Sequence, residues 1–402
     1  MAGEVVTAWD KGLLAASEGN VGSGWGTTPN PAASQVLEFV SVDLGEVEAP
    51  EFRPKKDRAI GRGMTTGYVP GRTKPIGWSV DFCQKSRSAA DTVPTEAALY
   101  KAAGLVQTVN GATSVVYSLT PTPIEAAAFS GLSLYYRDGQ GGTTPSAYKA
   151  EQLRGGITKG IVWSGGDREL STKFTGEGIG KYHLAYSSSI TLADGVGTSL
   201  VFADAEEGYR FGNVGWYQTE SEIIKVTAMN YSTFTATIAR AQLSSSGAAH
   251  AAKALYPYFP AKSYSGNPLS EVSVTVSVGG QTIRFQSFEL SFTTGLEMGP
   301  GETGSAYVQT PIVKRYDCKA MLKGLMRRED IALAGKCREQ KTPIALTIVC
   351  GTGAGGIVTF SAPYCEVDRF KWDDDANGPQ MMSIPLRMRD NSGNDMLTVT
   401  YS

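Results

Sequence analysis

Apolar residues in this chain alternate with polar ones over short stretches more often than they recur at helical spacing. Val272, Val274, Val276 and Val278 are separated by single polar residues, the period of a strand with one buried face. Similar runs predict strands at Val36–Leu44, Ile76–Cys83, Val115–Leu119, Leu132–Arg137 and Ile283–Phe292. Further strands are expected at Ile312–Met321, and hairpins at Gly155–Trp163 with Glu169–Thr175 and at Ile344–Cys350 with Ile357–Ala362. A last hairpin joins Ile384–Arg389 to Met396–Tyr401. Helices are rare. Pro94, Glu96 and Gly104 frame one at Thr95–Ala103, with proline near the start and glycine past the end. Its Ala98, Leu99 and Ala102 are expected to face the core. A second helical stretch is expected at Met326–Cys337.

The order of these elements repeats. Strand, long polar loop, strand, helix and closing hairpin occur once before residue 186 and again after residue 263. Two readings are open: a duplicated unit, or one large sandwich whose parts resemble each other. Between them, Leu200–Phe202, Ile223–Thr227 and Thr233–Ile238 read as short strands of a small inserted module, with Asn230 in a turn. Gly208–Gly215 reads as a loop and Gly247–Ala252 as a close-packed turn or half-helix. The expected organisation is a mainly β chain with units at 1–186 and 263–402 and a module at 187–262.

Composition narrows the function classes. The 402 residues are 41% hydrophobic and 19% charged, enough apolar content for a packed core. The 47 glycines are scattered without a period, which fits many turns between short strands. A net charge of -2 supplies no global basic field for nucleic acid. No window reaches the roughly 20 apolar residues of a membrane helix, and Met1–Ser17 lacks the pattern of a signal peptide. Five cysteines, at 83, 318, 337, 350 and 365, form no C-x-x-C pair and read as reduced core thiols. Two histidines, His183 and His250, are too few for a histidine-based metal site.

Three motifs imitate binding sites. Gly351–Gly356 matches G-x-G-x-x-G, but a β-branched run follows where a dinucleotide fold needs a helix; a hairpin turn fits better. Asp373, Asp374 and Asp375 resemble the opening of a calcium loop, yet its twelfth position is Ile384 instead of glutamate. The basic cluster Arg53, Lys55, Lys56, Arg58 and Arg62 lacks interleaved aromatics beyond Phe52 and Tyr68. Cys83 and His183 pair only on paper. No nucleophile elbow, zinc motif or phosphate loop occurs, so no catalytic, cofactor-binding or metal-ligating residue is assigned and no enzymatic activity is expected.

The segments Gly71–Val80, Val93–Leu105, Phe285–Leu290, Gly351–Pro363 and Gly393–Val399 resemble the major tail tube proteins of long non-contractile-tailed, siphovirus-like phages. The middle module, through Ser221–Val226 and His250, is similar to small β-modules of several phage tail proteins. The resemblance implies tail-tube-type β-sandwich units, each with a flanking short helix, pairing strands across subunits into rings that stack as a tube. Two units per chain would make a trimer with pseudo-six-fold symmetry, favoured over a hexamer. The implied partners are other copies of the chain, a tape-measure protein, and tail terminator and tail-tip proteins. Genome DNA would pass through an acidic or neutral lumen without specific binding. The implied location is the virion tail, and the host cytoplasm during assembly.

The long loops are the candidate contact sites. Gly45–Arg72 carries Glu46, Glu48, Arg53, Lys55, Lys56, Arg58 and Arg62, acidic first and basic second; Thr293–Gln309 carries Glu297 and Glu302. A structureless loop of that length is uncommon in a compact domain unless it binds something, here an adjacent ring. A solvated loop is the plain alternative. The alternative functions are a surface-displayed β-sandwich adhesin or decoration protein, and a tail-tip or baseplate ring protein.

Overall fold

A computed structural model describes residues 11–20, 27–46, 52–54, 68–70, 75–119, 130–138, 149–166, 169–184, 187–202, 214–261, 266–269, 273–298, 311–325, 333, 343–368, 371–373, 381–391 and 395–402. The fold is mainly β, and its strands pair antiparallel.

The main body holds two facing layers. The first layer runs Ser41–Asp43, Ile76–Cys83, Ser171–Gly178, the second part of Lys149–Gly165, Ser287–Thr293, Asp317–Leu325, Met381–Met388 and Lys371–Asp373. The second runs Val106–Asn110, Ser114–Ser118, Thr398–Tyr401, Ile357–Val367, Ile344–Gly351, Val274–Val278 and Gln281–Ile283. They join at one corner, where Cys365–Val367 pairs with Met388–Leu386. Each layer is built from both halves of the chain, in consecutive blocks that meet between Lys149–Gly165 and Ser287–Thr293 in the first and between Ser114–Ser118 and Thr398–Tyr401 in the second. One core cluster accordingly contains Val80, Phe174 and Trp163 together with Phe292, Phe360 and Tyr401. Residues 185–186 and 262–265, where the expected unit boundaries fall, lie outside the described residues.

A third layer branches from the first through one strand. Lys149–Gly165 pairs with Ser130–Asp138 and Gly180–Leu184 over its first part, then shifts register between Leu153 and Gly156. Gly155 there has φ 59, a left-handed conformation that glycine adopts without a Cβ clash. Its N–H donates to Glu18 at 2.9 Å. The layer continues through Gly12–Asn20 to Val36–Leu37. Its alternate residues face opposite cores. Leu13, Ala15 and Leu134 belong to the main core, whereas Leu14, Ala16 and Tyr135 join Tyr217, Ile224 and Leu255 of the module in a second one.

The module is a six-stranded sheet in the order Ser187–Leu192, His250–Pro257, Gly215–Thr219, Glu222–Asn230, Thr235–Ala239 and Ser199–Val201. The turn between Glu222–Asn230 and Thr235–Ala239 falls at residues 231–234, just past Asn230. Gly247–Ala252 is not a half-helix, because strand pairing starts at His250 opposite Leu192. Residues 203–213 lie outside the described residues. Buried Glu222 organises this sheet. It accepts from Arg240 Nε and Nη2 at 2.7 Å, from His250 Nε2 at 2.7 Å and from the N–H groups of Ala241 and Ala248. Burial pushes such a carboxyl up; here the donors outweigh it and hold Glu222 at about 2.

The helix is shorter than expected, Ala97–Lys101, and Ala98, Leu99 and Ala102 are all buried. It is fastened to the long strand, since Thr158 donates from its N–H to Ala102 O and from Oγ1 to Leu99 O. The second expected helix lies mostly outside the described residues, with Leu333 alone described and helical. Val36–Leu44 is not one strand: it breaks at residues 38–40, leaving Val40 72% exposed. The Gly351–Gly356 motif is a hairpin turn in which Gly351, Gly353 and Gly355 take positive φ, and a strand follows. Cys318, Cys350 and Cys365 are free and buried, and Cys83 is free and half-buried.

Candidate assembly interface

The first layer has one dry and one wet face, set by strict alternation along its six inner strands. The row Phe82, Thr172, Trp163, Leu290, Ala320 and Leu386 is buried throughout. The next row, Asp81, Lys173, Val162, Ser291, Lys319 and Arg387, faces outward. So does Cys83, Ser171, Ser164, Glu289, Met321 and Pro385. This wet face crosses both halves of the chain without interruption.

Its charges largely cancel in place. Lys173 lies 3.7 Å from Asp81, and Asp317 contacts Lys319 at 2.6 Å and Arg387 at 3.3 Å. The Lys319 ammonium holds Asp317 below the usual carboxylate range. Lys159 and Glu177 pair at 2.7 Å nearby. Between the pairs stand serines, threonines and glycines, with Val162, Cys83, Met321 and Pro385 among them. Such a surface offers small polar groups and no single-sign field. An open groove of about 750 Å³ crosses one end of it, between Val40, Cys83, Gly165, Phe288 and Met321.

The long loops are partly ordered as ribbons, which corrects the expectation of structureless chain. Phe52–Pro54 pairs with Tyr68–Pro70, and Leu296–Met298 pairs with Pro311–Val313. Backbone pairing removes the donors and acceptors that a long bare loop would leave to solvent. Arg53 sits on the first ribbon opposite Val69. Glu46 is exposed at the start of that loop. Glu297 sits on the second ribbon and pairs with Lys314 at 2.5 Å within the same chain. Glu48, Lys55, Lys56, Arg58, Arg62 and Glu302 lie outside the described residues.

His183 and Cys83 stand on different strands, and His183 Nδ1 is 3.4 Å from Glu151. Asp373 ends the strand Lys371–Asp373, and residues 374–380 after it lie outside the described residues. Among the described residues no group of three metal-ligating side chains occurs, and no helix is long and apolar enough to cross a membrane. The wet face was missed in the sequence. Its signal is the polar half of the alternation in Ile76–Cys83, Ser171–Gly178 and Ser287–Thr293, the half that core-seeking passes over.

No protein-family model matches the chain, and no curated protein matches it. Among solved structures it is similar to a chain of the cryo-EM structure of the anti-feeding prophage (AFP) baseplate, 6-fold symmetrised. The likeness has 17% identity, covers 29% of this chain and 87% of that chain, and has a TM-score of 0.24, a value too low to assign a common fold.

Proposed function

We propose that this chain is a structural subunit of a phage tail-type assembly, and specifically the ring-forming subunit of a tail tube. One observation carries the reading: a continuous eight-stranded antiparallel layer, built by both halves, with a dry face on the core and a charge-balanced polar face outward. A lone globular domain gains nothing from so wide a polar wall. A conduit does, because small neutral groups do not hold passing phosphates.

Three copies joined edge to edge would place about two dozen strands at roughly 4.8 Å spacing, a circumference of about 115 Å before strand tilt. Closing the sheet removes edges that would otherwise pair indiscriminately. Rings stack through the two long loops and their ribbons, with Glu46 at the start of the first loop, Arg53 on its ribbon and Glu297 on the ribbon of the second. The partners of such a tube are a tape-measure protein within, terminator and tip proteins at its ends, and DNA in transit. Its place is the virion tail, after assembly in the host cytoplasm. The protein is not an enzyme in this reading.

Negative-stain microscopy with analytical ultracentrifugation tests it. Rings or stacked tubes with three copies per ring are expected. Stable monomers at high concentration would overturn the proposal and favour a displayed adhesin or decoration protein. Single rings that never stack would favour a tail-tip or baseplate ring.

A further inference from the structure

The wall layer is built twice. Each half contributes a strand before its long loop, a strand after it, and then a later hairpin laid down in reverse order. In the first half these are Ser41–Asp43, Ile76–Cys83, Ser171–Gly178 and the second part of Lys149–Gly165. In the second they are Ser287–Thr293, Asp317–Leu325, Met381–Met388 and Lys371–Asp373. The halves meet where Gly160–Gly165 pairs with Phe288–Thr293. That internal joint mates the last strand of one quartet with the first strand of the next.

The layer's two outer strands are the same two kinds. Ser41–Asp43 is the first strand of its quartet, and Lys371–Asp373 is the last of the other. Among the described residues each has a strand partner on one side only, Ile76–Cys83 and Met381–Met388 respectively. We propose that these edges are the two halves of one intermolecular joint: Ser41–Asp43 of one copy pairs with Lys371–Asp373 of a second copy. The inference rests on the ring reading above and specifies its seam.

Three observations support it. Directions agree: all neighbours in the eight-strand layer are antiparallel, so its two outer strands run oppositely, and joining them continues the same alternation. Charge is compatible: centring the two three-residue strands on each other, Val42 opposite Trp372, would set Asp43 opposite Lys371 in sequence, a favourable cross-strand pairing of residue types. Exposure agrees: Val40, 72% exposed, immediately precedes the outer strand, an apolar side chain that a neighbouring copy would cover. The contact is head-to-tail, because its two sides are different strands, and such contacts close into rings when the rotation permits.

The test uses the full chain carrying Cys83→Ser, with either Ser41→Cys plus Asp373→Cys or Asp43→Cys plus Lys371→Cys. Gln107→Cys plus Thr282→Cys, on the outer strands of the second layer, is the control. After mild oxidation, covalent dimers and trimers are expected at least five-fold above the control on a non-reducing gel. Asp43→Lys is expected to abolish rings, and adding Lys371→Asp to restore them. Micrographs of the unsubstituted protein score ring formation separately. Rings without cross-links at either pair, or cross-links equal to the control, would overturn the seam and leave the ring reading standing. Neither rings nor cross-links would overturn both.

Discussion

The hydroxyls of Tyr100 and Tyr401 lie 2.9 Å apart although 301 positions separate them in the chain. Trp163 Nε1 donates to Tyr100 Oη at 3.1 Å, and Tyr401 Oη donates to Glu96 Oε1 at 2.9 Å. This buried network fastens the helix, the long central strand and the last strand to each other. Tyr401→Phe is expected to cost about 1–3 kcal/mol, since it strips Glu96 of a buried donor. A urea melt measures the loss; a midpoint equal to the parent's would show that the network is not holding the halves together.

Glu96 itself gives a dependence on pH. Burial raises its carboxyl above the usual range, against the hydrogen bonds it receives. A raised folded value means the fold keeps the proton longer than the unfolded chain does. Its contribution is therefore favourable in acid and declines as pH climbs past about 4.3 toward the folded value. Glu96→Gln should outlast the parent at pH 7, with the difference shrinking toward pH 4.5. Paired melts at the two pH values check the sign; a constant difference would contradict it.

The module should respond in the opposite sense. Glu222 is held at about 2 and is fully buried, so its contribution is complete above about 4.3 and disappears as pH falls toward 2. A shift of that size corresponds to about 3 kcal/mol. Arg240→Met leaves the carboxylate without its bidentate partner and should cost about 3–5 kcal/mol. Amide exchange across residues 240–250 reads both effects, and unchanged protection in the variant would refute the role given to Glu222.

The wet face predicts a gain of function. Val162 and Ser291 are neighbours across the internal joint and point outward. Arginine at both should leave melting temperature and ring formation intact while making the tubes retain duplex DNA at low salt. Counterion release makes such retention fall steeply with added salt. Tubes that hold DNA no better than the parent would argue that this face does not line the bore.

Alternation was legible in several strands with one dry face but not in all: Asp317–Leu325 and Met381–Met388 alternate strictly, yet the sequence placed them at Ile312–Met321 and Ile384–Arg389. Ile76–Cys83 was read at its observed limits because Trp78, Val80 and Phe82 alternate with smaller or polar residues. Gly12–Asn20 was missed for the opposite reason: Leu13, Leu14, Ala15 and Ala16 are all buried, so no alternation exists to read. Val106–Asn110 went unseen because its side chains are half-buried or exposed. The ribbons at Phe52–Pro54 and Leu296–Met298 are three residues each, shorter than a period-two pattern needs. In the candidate interface, charged loops were visible as composition, but the polar wall and its outer strands depend on pairings across hundreds of residues.

The strand Gly12–Asn20 gives odd-numbered Leu13 and Ala15 to one interior and even-numbered Leu14 and Ala16 to the other. Natural truncation or swapping of the module is therefore blocked in a way that an appended domain on a tether would not be. Excising residues 187–260 would bare an oily sheet underneath, and a transplanted module would carry half of someone else's foundation. Diversity at this position in related chains should accordingly appear as changes in the module's turns, with the shared strand Gly12–Asn20 left alone.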